Sequence, residues 1–90
     1  MISGNVDTHM GNGISVNPYN SNQRIYWEGK CGNNATVGCW VDVYSEDKKN
    51  NIWTDKNFLK TIDHIGKAQL IWVDSRTIKE MQTGVIIKLN

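Results

Sequence analysis

Gln23-Arg24-Ile25-Tyr26-Trp27-Glu28-Gly29-Lys30-Cys31 is followed, after a Gly- and Asn-rich stretch, by Cys39-Trp40-Val41-Asp42-Val43-Tyr44. The reading of this pair of segments decides the fold. In the first, Ile25 and Trp27 alternate with Arg24, Tyr26 and Glu28, which is the period of a strand with one buried face. In the second, Val37, Cys39, Val41 and Val43 share one face, and Trp40, Asp42 and Tyr44 the other. Two alternating runs joined by a turn-rich loop make a β-hairpin. Cys31 and Cys39 then sit at facing ends of its strands, where disulfide geometry can be met.

The cysteine chemistry follows from the spacing. Zinc would need four ligands, and the only histidines, His9 and His64, lie far from any ligand-like spacing. The Cys-x-x-Cys redox spacing is absent. A disulfide across the hairpin is the simplest use, and it argues for an oxidising compartment and a secreted protein. Two reduced, buried thiols in a cytosolic protein are the alternative. The opening Met1-Ile2-Ser3-Gly4 has neither a basic region nor an apolar core of the signal-peptide kind. It therefore reads either as an intracellular start or as a mature chain whose leader has been removed.

Outward from the hairpin, Ser45–Asn51 is a charged stretch expected to be a solvated loop. Thr54 and Asp55 suit the start of a helix, and Phe58, Leu59, Ile62 and Ile65 recur at helical spacing, with His64 in the last turn and Gly66 as the C-cap residue. The run Ala68–Val73, apolar apart from Gln69, predicts a strand buried on both sides. Asp74–Thr77 turns the chain, Ile78–Gln82 reads as either a short strand or one helical turn, and Val85–Leu89 forms a last strand with Val85, Ile87 and Leu89 inward. On the N-terminal side, Ile14–Val16 reads as a short strand between turns, and residues 1–13 as a flexible arm. With 90 residues, the chain is expected to be a single domain. Its class is α+β, mainly β: a small barrel of the oligonucleotide/oligosaccharide-binding type with one helix. A small β-sandwich is the alternative.

Charge and motifs narrow the function. The formal net charge is +1, and no basic run is longer than Lys48-Lys49. A nucleic-acid partner, which needs a basic stripe to displace counterions, is not expected. No apolar run is long enough to span a bilayer as a helix. No phosphate loop or catalytic constellation stands out. Asp42 and Asp74 are a conceivable carboxylate pair, with nothing in the sequence to fix their distance. The chain is expected to be non-catalytic and to need no cofactor or metal. Four tryptophans in 90 residues is a high count. Trp53 and Trp72 sit in apolar contexts that suit a core or an interface. Trp40, on one face with Asp42 and Tyr44, suits an exposed interface patch.

The segment Ile25–Val73 resembles the B subunits of A–B toxins of the pertussis and subtilase-cytotoxin type. The resemblance rests on the aromatic strand into Cys31, on Gly38-Cys39-Trp40-Val41-Asp42-Val43-Tyr44, on Trp53 with Phe58-Leu59, and on Gln69-Leu70-Ile71-Trp72-Val73. It implies a ring-shaped homo-oligomer such as a pentamer, binding to a cell-surface glycan, and a separate catalytic A subunit. It places the sugar contacts before the first cysteine, at Tyr19, Ser21, Asn22 and Gln23, with Arg24 or Lys30 available for a carboxylate. Two other readings stand beside this one. The chain could be a secreted effector or inhibitor that binds a protein through Trp40 and Tyr44, or a self-assembling structural subunit whose N-terminal arm completes a neighbour's sheet.

Overall fold

The computed structural model describes residues 12–32, 38–63 and 66–89. Seven strands run through them in two antiparallel meanders. β1 (Gly13–Val16), β2 (Gln23–Cys31), β3 (Cys39–Lys49) and β4 (Ile52–Asp63) form a four-stranded sheet in sequence order. β5 (Leu70–Asp74), β6 (Thr77–Glu80) and β7 (Ile86–Lys88) form a second sheet of three strands. The protein is thus small and mainly β. Neither a helix nor a closed barrel occurs among the described residues, and the two sheets are consistent with a β-sandwich.

The alternation read from the sequence sets the inner face of the first sheet. Ile25, Trp27, Val41, Val43 and Ile62 point inward and join Ala68, Leu70, Ile78, Ile87 and Leu89 in one buried cluster. Ile25, Val41, Val43 and Ile78 are completely buried. Each contributes about 1.5–3 kcal/mol relative to an exposed position. The hairpin register is as the cysteines require: Cys31 faces Cys39 and the pairing runs without a break to Gln23 opposite Asp47. The two sulfurs are bonded, with the Cα atoms 3.9 Å apart.

Polar links lace the sheets together along one side. Asn17, 1% exposed, donates from Nδ2 to the Ser75 carbonyl at 3.0 Å and to Gln23 Oε1 at 3.0 Å, while its Oδ1 accepts from Tyr19 N. Trp72 Nε1 donates to the Ser15 carbonyl at 3.3 Å. At the β6–β7 end the buried Glu80 organises the turn. Its Oε2 accepts from Gln69 N at 3.0 Å, and its Oε1 accepts from Thr83 N at 2.7 Å and Thr83 Oγ1 at 2.9 Å. Gly84 closes this turn at φ 76°, a conformation that favours glycine, and donates to the Glu80 carbonyl at 2.9 Å.

The expected helix is a strand. Residues 52–63 pair along β3, and two bulges explain why the segment looks helical in sequence. Tyr44 faces Phe58 but Val43 faces Lys60, so Leu59 is an extra residue; a second shift lies between Ser45 and Asp47. A bulge interrupts the two-residue alternation. Phe58 can therefore point outward while Leu59 and Ile62 both serve the core, and the spacing 58, 59, 62 imitates a helical stripe. Composition also favours a strand, since Ile52, Trp53, Thr54, Phe58, Thr61 and Ile62 are β-branched or aromatic. Among the described residues no helix is left to support the α+β class or to close a barrel.

The charged stretch after Tyr44 is not a loop either. Ser45–Lys49 continues β3, and the connection to β4 is the pair Asn50-Asn51, with φ 53° and 64°. Two left-handed residues make the tight hairpin turn that matches strand twist, and asparagine tolerates that conformation. β5 is buried on one face only: Leu70 is inside, whereas Ile71 and Val73 are exposed. The undecided segment 78–82 ends β6 and enters a turn. Val85 is half-buried against the core, and Ile87 and Leu89 are buried, as expected. Asn12 and Gly13, read as part of an arm, belong to the folded unit: Asn12 Oδ1 accepts from Gly29 N at 2.9 Å, and Gly13 opens β1. The rest of that arm, His9, Val37 and His64 lie outside the described residues.

Candidate functional site

The face of the four-stranded sheet turned away from the core is rich in rings and charge. Strand alternation brings Arg24, Tyr26, Glu28 and Lys30 of β2 to this face, opposite Glu46, Tyr44, Asp42 and Trp40 of β3. β4 adds Trp53, Phe58 and Thr61, opposite Lys48, Tyr44 and Asp42. On the far side, β1 places Ile14 beside Tyr26 and Val16 beside Arg24. The result is a set of rows across the strands.

At the centre, the rings of Tyr26 and Tyr44 stack at 5.0 Å with 16° between planes, and Phe58 meets Tyr44 edge-on at 5.7 Å. The Lys56 ammonium lies 4.7 Å from the Tyr26 centroid and 4.4 Å from that of Tyr44. Its hydrogen bond with Tyr26 holds the ammonium pKa above the usual lysine range, against the smaller pull of desolvation. At one end, Arg24 Nε pairs with Glu46 Oε1 at 2.8 Å, and the guanidinium covers the Trp53 ring at 4.3 Å. Lys48 approaches the same indole at 5.6 Å. At the other end, Lys30 Nζ lies 3.2 Å from Asp42 Oδ2 and 3.8 Å from Glu28 Oε1. The hydrogen bond to Asp42 raises the Lys30 pKa, and Thr61 Oγ1 donates to Asp42 Oδ1 at 2.7 Å.

This arrangement carries apolar and charged area suited to binding. Aromatic rings left partly in water on a sheet face carry apolar area that a partner can cover. Their π faces are largely occupied, however. Two tyrosines stack on each other beneath an ammonium, and the Trp53 ring lies under a guanidinium. Phe58, 57% exposed, is the ring of this face most open to solvent. A shallow groove of about 380 Å³ runs between β1 and β2, lined by Asn12, Gly13, Ile14, Tyr26, Trp27 and Glu28.

The residues named from sequence fall in separate places. Trp40 and Tyr44 share this face, four residues apart on β3. Arg24 and Lys30 also lie on it, but at opposite ends of β2, roughly 20 Å apart at about 3.3 Å per residue. Tyr19, Ser21 and Asn22 occupy the β1–β2 turn, where Tyr19 is exposed and its hydroxyl donates to the Val73 carbonyl at 3.4 Å. Gln23 begins β2 with its side chain bonded to Asn17. The six positions expected for a sugar therefore do not converge on one pocket. Asp42 and Asp74 lie on different sheets, the latter accepting from Arg76 N in the β5–β6 turn. Tyr26, Phe58 and Lys56 are members of the face that the sequence did not single out, and Trp53, read as core or interface, also lies on it. The signal for Tyr26 was present: five residues away from the cysteine bridge on each strand, it faces Tyr44. No protein-family model, curated protein or solved structure matches this chain.

Proposed function

We propose that this chain is a secreted, non-catalytic binding module that recognises a protein partner through the outer face of its four-stranded sheet. The observation that carries the reading is the half-exposed cluster Tyr26–Tyr44–Phe58, set on the side of the sheet opposite the core and flanked by the Arg24–Trp53 contact. Tyrosine, tryptophan and arginine in rigid, packed arrangements are the residues that dominate protein–protein binding energy. A sugar ring or a nucleic-acid base would instead call for a free aromatic face to stack on, whereas Tyr26 and Tyr44 stack on each other and Arg24 covers Trp53. The Cys31–Cys39 bridge supports the extracellular setting.

The test is photo-crosslinking from position 58 in the folded chain, alongside Tyr44→Asp. The expected result is one covalently captured protein with native Tyr44 and none with Tyr44→Asp, the far-UV spectrum being unchanged. Capture that is insensitive to Tyr44→Asp would refute the reading. Glycan-array binding that survives this substitution but is lost on changing Tyr19 and Asn22 would return the function to the turn and to a cell-surface glycan, the role implied by the resemblance to toxin B subunits.

A further inference from the structure

Among the described residues the two sheets present four outer strands, β1 and β4 in one and β5 and β7 in the other. An outer strand exposes unpaired backbone groups, and natural proteins guard it with bulges, lysines, shortness or an overlying segment. β4 carries two bulges and the exposed Lys56 and Lys60. β7 is three residues long and ends in Lys88. β5 has a register shift at Trp72/Asp74, and the β1–β2 turn reaches it through Tyr19. β1, although only four residues long, has no charge, no proline and an unbroken register.

The direction of its backbone groups follows from the pairing. Asn17 N donates to the Gln23 carbonyl, and the register continues through Val16–Arg24 and Ser15–Ile25 to Gly13–Trp27. In an antiparallel pair alternate residues turn their N–H and C=O toward the partner strand. Asn17, Ser15 and Gly13 therefore bond to β2, while Val16 and Ile14 direct theirs away from the sheet. These two residues also carry exposed apolar side chains, Ile14 at 60% and Val16 at 47%.

We infer that a second copy of this chain adds at this edge, β1 against β1 about a two-fold axis at Ser15. The outward groups fix the register. Ile14 stands opposite the partner's Val16 and Val16 opposite the partner's Ile14, each pair exchanging two N–H···O=C bonds. The strand is self-complementary in this register, as a closed two-fold interface demands. Paired residues project to the same side, so the apolar side chains of both copies cover one another. The merged eight-stranded sheet then carries both aromatic faces on one surface. Two linked copies of a binding face gain avidity without any new contact. The inference does not depend on what that face binds.

Val16→Pro tests it in the full chain. Proline removes only the outward N–H of residue 16, a loss that an edge strand tolerates, and it leaves the bonds to β2 in place. Light scattering should give twice the 10.2 kDa chain mass for the native protein and the single mass for Val16→Pro, with the far-UV spectrum retained. Ile14→Lys, at an exposed side chain, should also give the single mass and serves if the proline variant misfolds. A native protein that stays monomeric as its concentration is raised overturns the inference, as does either folded variant remaining dimeric. A monomer whose Val16 amide is nonetheless protected from hydrogen exchange also overturns it, because the edge is then covered from within the chain.

Discussion

Gly13 lies directly against the indole of Trp27, its cross-strand partner, so that a methyl group at position 13 would occupy the space of the ring. Trp27 is 8% exposed and belongs to the core cluster. The glycine lets the largest side chain of β2 fold over the end of β1 and close the core there. Gly13→Ala should displace the indole and destabilise the protein by about 1–3 kcal/mol, the usual cost of overpacking. Denaturant unfolding followed by tryptophan fluorescence measures it, and an unchanged midpoint would show that the ring moves freely.

Glu80 should dominate the acid response. Its burial pushes the carboxyl pKa up, but the backbone N–H groups of Gln69, Thr83 and Gln82 and the Thr83 hydroxyl outweigh burial, so the net shift is downward from 4.5. A carboxyl depressed in the folded state stabilises the protein at pH above its unfolded value. That contribution is lost as pH falls below about 4.5 through the folded pKa. Glu80→Gln puts an amide NH₂ where an oxygen now accepts hydrogen bonds, whichever way it is turned. It should cost about 1–3 kcal/mol at neutral pH and flatten the stability curve between neutral and acid pH. The exposed Asp74, lowered chiefly by the Arg76 N–H, should leave a smaller acid dependence in the variant. A Glu80→Gln protein with native neutral stability and an unaltered acid limb would contradict this account.

The hairpin was legible in the sequence because two independent signals agreed there. Alternation chose the faces of Ile25, Trp27, Val41 and Val43, and the cysteines fixed the register. That register also contained the centre of the candidate site, since Tyr26–Tyr44 and Arg24–Glu46 lie at equal distances from the bridge. The segment 52–63 was misread for a local reason: bulged strands do not alternate, and each extra residue moves the pattern toward helical spacing. The left-handed pair Asn50-Asn51 was the missed clue, because a two-residue turn after β3 obliges the following residues to return as its hairpin partner. The aromatic face was only half visible for the same reason. Phe58, Trp53 and Lys56 belong to β4, and a helix would have carried them elsewhere.

The Cys31–Cys39 bridge sits at the end of β2 and β3 where the neighbouring pair is already hydrogen-bonded, with Gly32 N donating to the Gly38 carbonyl at 2.8 Å. The folded hairpin therefore holds the two cysteines opposite each other, and the bond acts mainly on the unfolded chain by closing a short loop. With a sequence separation of 8, this corresponds to about 2–3 kcal/mol. Cys31→Ser with Cys39→Ser should lower the melting temperature by on the order of 10 °C for a domain of this size. The Tyr26–Tyr44 stack, five residues along each strand, should persist at low temperature, because the seven other cross-strand pairs of β2 and β3 and the buried valines still align it. Near-ultraviolet circular dichroism of the tyrosines and tryptophans separates the two effects. A reduced or doubly substituted protein that melts at the native temperature would remove the reason for placing this chain in an oxidising compartment. One that loses the aromatic signal below its melt would show that the bridge, rather than the core, holds the aromatic face in register.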